Sequence, residues 1–119
     1  MAAFKVRLNI VQGEDFHKRF TWKTGTPAAP VDLTGCAARM HVRATVDSPD
    51  TLLTLSTADG RLTLGGVDGH VDMDLSNAVT AAIDWLAAVY DLEIVFPGGQ
   101  VRRLLKGPVV VDREVTRGP

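Results

Sequence analysis

The stretch AAVYDLEIVFPGGQVRRLLKGPVVVDREV, residues 87–115, decides the fold of this chain. Its first ten residues alternate between an apolar and a mixed set of side chains, and this period of two is typical of a β-strand. PGGQ then predicts a tight hairpin turn, and the residues after it predict a long returning strand. Gly107-Pro108 inside that strand predicts a bulge or bend at a sheet edge.

The same period of two recurs along most of the chain, and it predicts about eight strands separated by turns at intervals of roughly ten residues. SNAVTAAIDWL (76–86) predicts one short helix capped by Ser76 or Asn77, and KTGTPAAP (23–30) predicts a loop. The simplest closure is an all-β antiparallel sandwich, with a closed barrel as the open alternative. The other stretches with this period are FKVRLNIV (4–11), DFHKRFTW (15–22), CAARMHVRAT (36–45), TLLTLS (51–56), RLTLG (61–65) and HVDMDLS (70–76).

Length and composition favour one folded domain over residues 1–119, with 113–119 as a frayed tail. Thirteen basic residues against fourteen acidic ones leave a net charge of −1, which argues against nucleic acid and anionic membranes as partners. We find no secretory signal and no run long enough to span a bilayer, so we expect synthesis in a cytoplasm. The single cysteine, Cys36, has no disulfide partner and fits a small buried hydrophobe.

No motif in the sequence indicates catalysis. The three histidines lack the spacing of a zinc site, and there is no nucleophile elbow, phosphate-binding loop or dinucleotide fingerprint. We therefore predict no enzyme, no cofactor and no metal.

The candidate interface consists of Trp85 and of charged side chains. The acidic ones lie on the outward sides of two predicted strands, and the basic ones form a patch if their strands adjoin. They are either ordinary surface charge or complementary patches between copies of the chain. The basic members are Arg39, Arg43, Arg102, Arg103 and Lys106, and the acidic members are Asp72, Asp74, Asp91 and Glu93.

Four segments in succession resemble a family of small proteins encoded in tailed-phage and prophage structural modules. The resemblance covers Gln12 to Thr116, and related domains resemble the immunoglobulin-like N-terminal domain of baseplate upper proteins. The segments are QGEDFHKRFTWKTGTPAAPVDLTGCAARMHVR, LTLSTADGRLTLGG, HVDMDLSNAVTAA and YDLEIVFPGGQVRRLLKGPVVVDREVT. Each position shared with the family can be explained by a role in turns, bulges or the core. These positions are Gly13, Asp15, Phe16, Asp32, Leu33, Gly35, Tyr90, Asp91, Leu92 and Gly107.

This resemblance implies an immunoglobulin-like sandwich and a non-enzymatic virion protein of the tail or baseplate, present in several copies as a homo-oligomer beside other virion proteins. The family brings no catalytic residues. Trp85 and the basic run at residues 17–19 depart from its pattern. Two alternatives stay open: a host-surface module of the tail tip that binds carbohydrate or protein through Trp85, and a collar or capsid decoration protein.

Overall fold

The computed structural model describes residues 3–117, and it confirms the all-β sandwich. Gly118 and Pro119, the end of the predicted tail, lie outside the described residues. Within residues 3–117, eight strands are three residues or longer, in agreement with the predicted number, and three more are pairs of residues. The strands are β1 Phe4–Lys5, β2 Leu8–Val11, β3 Phe16–Thr21, β4 Lys23–Thr24, β5 Ala29–Pro30, β6 Ala37–Arg43, β7 Leu53–Ser56, β8 Leu62–Leu64, β9 His70–Leu75, β10 Ala87–Val95 and β11 Val101–Asp112, with helix α1 at Asn77–Ala81 between β9 and β10.

The strands form two main sheets. The large sheet has the order β1-β11-β10-β6-β7, with β2 also paired to β11, and the small sheet has the order β3-β9-β8. The chain therefore crosses between sheets in the turn from β2 to β3. Residues 23–30, predicted as a loop, instead hold a two-stranded ribbon of β4 and β5, because Lys23 and Thr24 pair with Pro30 and Ala29.

The period of two places one side of each long strand in the core. On β10, Ala88, Tyr90, Leu92 and Ile94 are buried, whereas the residues between them face outward. The core side chains of the small sheet come from Val71, Met73 and Leu75 of β9 and from Leu62 of β8. Burial at about 25 cal/mol per Å² of apolar surface makes this interlayer core the main source of stability.

Strand β11 is flanked on one side by β10 and on the other by two successive segments. β1 and β2 both run parallel to it, and the chain between them passes over Gly107. The Val6 amide donates a hydrogen bond to the Lys106 carbonyl at 2.9 Å, and a Cβ on Gly107 would collide with the Val6 carbonyl. Glycine is therefore required here by close backbone approach.

The predicted bulge at Gly107-Pro108 is wrong in its position. Tyr90 pairs with Gly107 and Val89 with Pro108 in regular register, and the register shift instead falls between the Leu92–Leu105 and Glu93–Arg103 pairs. The extra residue is Leu104, which is buried together with Leu105. The bulge lets two consecutive leucines reach the core, and β11 is an interior strand where it passes β1 and β2.

Gln12 joins the ends of three segments. Its side chain donates to the Ile83 carbonyl at 2.7 Å and accepts from the Glu114 amide at 2.9 Å. Nearby, the buried Thr80 hydroxyl donates to the Glu14 carbonyl at 2.8 Å, and Asp15 accepts from the Asn77 amide at 2.7 Å. The chain up to Glu114 is thus tied to the fold, and a frayed tail would begin only after this residue.

The edge strands carry features that hinder strand pairing between molecules. On β7, Asp59 accepts from the Ser56 amide at 3.1 Å and Arg61 donates to the Thr54 carbonyl at 2.9 Å. On β3, Lys18 pairs opposite the fully buried Met73 and so occupies a position that faces the core, although its side chain is exposed. Inward-facing charge at an edge disfavours addition of a further strand.

Gly107→Ala is expected to destabilise the protein by about 1 to 3 kcal/mol, because the added methyl group must displace the Val6 backbone from β11. Chemical denaturation measures the change. Gly98→Ala is the matched control, since a Cβ there meets nothing within 4 Å. Equal effects of the two substitutions would contradict the close-approach argument.

Lys18→Val is expected to make the protein self-associate without loss of stability, because the edge of β3 would then present an uninterrupted apolar side. Light scattering coupled to size-exclusion chromatography measures the mass. Lys18→Glu retains a charge and is expected to stay at the wild-type mass. A Lys18→Val protein of unchanged mass would show that Lys18 does not protect this edge.

Candidate functional site

The structure separates the four predicted carboxylates into two sets on different sheets. Asp91 and Glu93 face outward from β10 of the large sheet, whereas Asp72 and Asp74 face outward from β9 of the small sheet. Among residues 3–117 no group of three or more His, Cys, Asp or Glu side chains could hold a metal ion. The helix in this part of the chain is also too short to cross a membrane.

The outer face of the large sheet places charges in rows across neighbouring strands. Glu93 lies between Arg39 of β6 and Arg103 of β11. In the next row, Asp91 lies between His41 of β6 and Lys106 of β11, and Lys106 has Lys5 of β1 on its other side. The sheet thus has a central acidic strand between basic strands.

The central carboxylates are each paired with one arginine. Arg39 Nε contacts Glu93 Oε1 at 2.8 Å, and Arg103 Nε approaches Asp91 Oδ2 at 3.9 Å. The two arginine side chains are each 54% exposed, so each pair contributes on the order of 0 to 1 kcal/mol. These pairs set the direction of the side chains more than they stabilise the fold.

A concavity of about 680 Å³ runs over these rows, and we call it the basic groove. Arg43 borders it at one end, where its guanidinium donates to the Ser48 and Pro49 carbonyls. Val46, 82% exposed, and Val89 add apolar surface. Its charged lining consists of five cations and two carboxylates: Lys5, Arg39, Arg43, Arg103, Lys106, Asp91 and Glu93.

The basic groove has a surplus of positive charge. Neither Lys5 nor Lys106 has an acidic partner within 4 Å among residues 3–117. With five cations against two carboxylates here, the rest of the chain holds eight cations against twelve carboxylates. The groove is therefore a positive surface on a molecule whose remainder is negative, which favours an acidic partner.

On the outer face of the small sheet, the two carboxylates of β9 each have a partner on β3. Arg19 makes a bidentate contact with Asp72, with Nε–Oδ1 and Nη2–Oδ2 distances of 2.7 and 3.0 Å. His17 Nδ1 lies 2.7 Å from Asp74 Oδ1. The hydrogen bond from Arg19 is the main cause that lowers the pKa of the Asp72 carboxyl below its ordinary value of 3.8. Asp72 and Asp74 thus already have contact partners on β3.

Arg102 lies apart from the other basic candidates. It pairs opposite the buried Ile94, and its guanidinium carbon stands 5.4 Å from the centre of the Trp22 ring. Trp22 is 3% exposed, and its Nε1 has no hydrogen-bond partner among the described residues. Arg102 therefore covers an aromatic core residue through a cation–π contact.

The remaining candidate side chains have structural surroundings. The Trp85 ring is half-buried and packs against the core, which leaves only part of it for a ligand. Cys36 is also half-buried, and burial raises the pKa of its thiol, which disfavours the reactive thiolate. The Tyr90 hydroxyl donates to the Val6 carbonyl at 2.7 Å, and burial raises the pKa of Tyr90 as well.

Sequence reasoning missed three members of these surfaces. The alternation in residues 4–11 indicates that Lys5 faces outward. The local sequence does not indicate that this segment pairs with β11, because parallel pairing of distant segments leaves no local pattern. Arg19 and His17 were recognised as unusual, whereas their pairing with Asp72 and Asp74 depends on the crossover that places β3 beside β9.

No protein-family model matches this chain, and a search of curated proteins finds no match.

Asp72→Asn is expected to destabilise the protein at neutral pH. Because the pKa of Asp72 is lowered by folding, the stability it contributes is present above about 3.8 and is lost as the pH falls through the folded-state pKa. The difference between wild type and variant should therefore shrink in denaturation experiments below that pH. Asp47→Asn is the control, since Asp47 has no ion pair or hydrogen bond among the described side chains. A difference that stays constant with pH would contradict the role of the carboxylate.

Proposed function

We propose that this protein is a non-enzymatic structural component of a bacteriophage virion, present in several copies in the tail or baseplate, and that it docks through the basic groove. The observation that carries the proposal is the groove itself. It is an open sheet face with surplus positive charge, built mainly on the adjacent strands β6, β10 and β11. Such a surface suits assembly with other proteins, because complementary charge sets orientation and register.

The residues shared with the phage family support a scaffold role for the rest of the chain. Asp32 accepts from the Thr34 amide at 2.9 Å and closes its own turn, as its position suggested. Leu33 and Leu92 are buried in the core. Gly107 leaves room for the Val6 backbone, and Asp15 accepts a hydrogen bond from the Asn77 amide at the start of α1. These roles maintain a rigid support and leave the charged face for contacts.

Assembly in several copies also suits the modest strength of the individual contacts. Exposed ion pairs each contribute on the order of 0 to 1 kcal/mol. Linking many such contacts in one particle raises the overall affinity without any strong single interface. A host-surface module would instead need an exposed aromatic platform, and Trp85 presents only part of its ring.

The proposal is tested with particles from a host strain that carries this gene. We expect mass spectrometry to detect the protein in purified particles. Lys106→Glu is expected to reduce incorporation of the protein by about tenfold or more, because the new carboxylate would repel an acidic partner. Lys23→Glu, on the exposed ribbon, makes the same charge change outside the groove and is expected to incorporate normally.

Absence of the wild-type protein from particles would overturn the virion role. Normal incorporation of Lys106→Glu would overturn the groove as the docking surface. Detection in the head or collar, rather than the tail, would overturn the tail or baseplate assignment.

A further inference from the structure

We infer that the partner of the basic groove is a second copy of this chain, and that the copies contact each other head to tail. The inference rests on the proposed function for its use in a particle, but it concerns the purified protein alone. The acidic end of one molecule, defined below, would occupy the basic groove of the next.

The acidic end consists of three segments that Gln12 and Thr80 tie together: residues 12–15, 76–86 and 112–117. They contain five carboxylates and two arginines, whereas the groove contains five cations and two carboxylates. The net charges of the two surfaces are therefore equal in size and opposite in sign. The Gln12 side chain links Ile83 to Glu114, and the Thr80 hydroxyl links α1 to the turn at Glu14. This network makes the acidic end one preorganised surface rather than three mobile loops.

The two surfaces occupy different parts of the molecule, which excludes their pairing within one chain. β11 enters the groove region at Arg103 and Lys106 and ends at Asp112, six residues beyond Lys106. At about 3.3 Å per residue this is about 20 Å along the sheet. A contact between unlike surfaces is heterologous, and repetition of it gives a ring or a stack of copies.

The charge pattern of the groove argues against a nucleic acid as the occupant. Asp91 and Glu93 lie along its middle, between the basic strands. A continuous phosphate backbone in the groove would meet these carboxylates, whereas a folded surface with both signs of charge, such as the acidic end with Arg113 and Arg117, can complement them. The edges of β3 and β7 are protected by Lys18, Asp59 and Arg61, which disfavours strand pairing between copies at these two edges.

Charge exchange tests the inference. The groove variant is Lys5→Glu with Lys106→Glu, which leaves the Arg39–Glu93 and Arg103–Asp91 pairs intact. The end variant is Asp84→Lys with Asp112→Lys, both exposed and without side-chain hydrogen bonds among the described residues. The control is Lys18→Glu with Lys23→Glu, which has the same net charge as the groove variant.

Sedimentation velocity at up to about 1 mM protein measures self-association. We expect wild-type oligomers in about 20 mM salt that dissociate in about 500 mM salt, since screening weakens exposed charge contacts. The association constants of the groove variant and of the end variant should each be lower than that of wild type by about tenfold or more. The control should associate as wild type does. The chain that combines all four groove and end substitutions should regain association, because its surfaces are again complementary.

A monomeric wild-type protein in low salt would overturn the inference, as would failure of the fourfold variant to recover while it remains folded by circular dichroism. Either result leaves the virion role standing if the protein is found in particles, and an acidic surface of a different virion protein would then be the occupant. Equal weakening by the control variant would also overturn it, because the effect would then reflect net charge alone.

Discussion

The close approach of Val6 to Gly107 is the constraint on which the arrangement of this protein depends. β11 must accept two parallel segments on one side while it pairs antiparallel with β10 on the other. The change from β1 to β2 occurs opposite Gly107-Pro108, where a side chain would collide and Pro108 has no amide to offer. The parallel pairing places Lys5 beside Lys106, and the Tyr90 hydroxyl donates to the Val6 carbonyl from the core side.

The strands and their inward faces were predictable, because a buried face imposes the period of two directly on the sequence. The alternation in β9 and β10 matches burial residue by residue, and Ser76 caps α1 as predicted. Pairing between distant strands was not predictable in the same way. The position of the bulge, the parallel contacts of β11 and the meeting of Arg19 with Asp72 all depend on tertiary contacts that leave no periodic signal.

In the candidate surface, too, the features that depend on a single strand were predictable and those that depend on strand pairing were not. The sequence indicated that Arg39 and Asp91 face outward, since each follows from the period of its own strand. That they lie in adjacent rows follows only from the order β11-β10-β6. Arg102 is the exception among the basic candidates. The extra residue Leu104 changes the alternation along β11, so Arg103 shares the outer face with Lys106 whereas Arg102 turns toward Trp22.

Charge on this protein thus serves two different physical purposes. Where acid and base are paired, as Arg19 and Asp72 are between β3 and β9, the ion pair joins neighbouring strands. Where they are unmatched, as in the basic groove and at the acidic end, the cost of separating the charges is small only because both surfaces face water. Natural sequences readily place Lys beside Glu across a sheet, and the proposed contact between copies would bring such complementary charges together from two molecules.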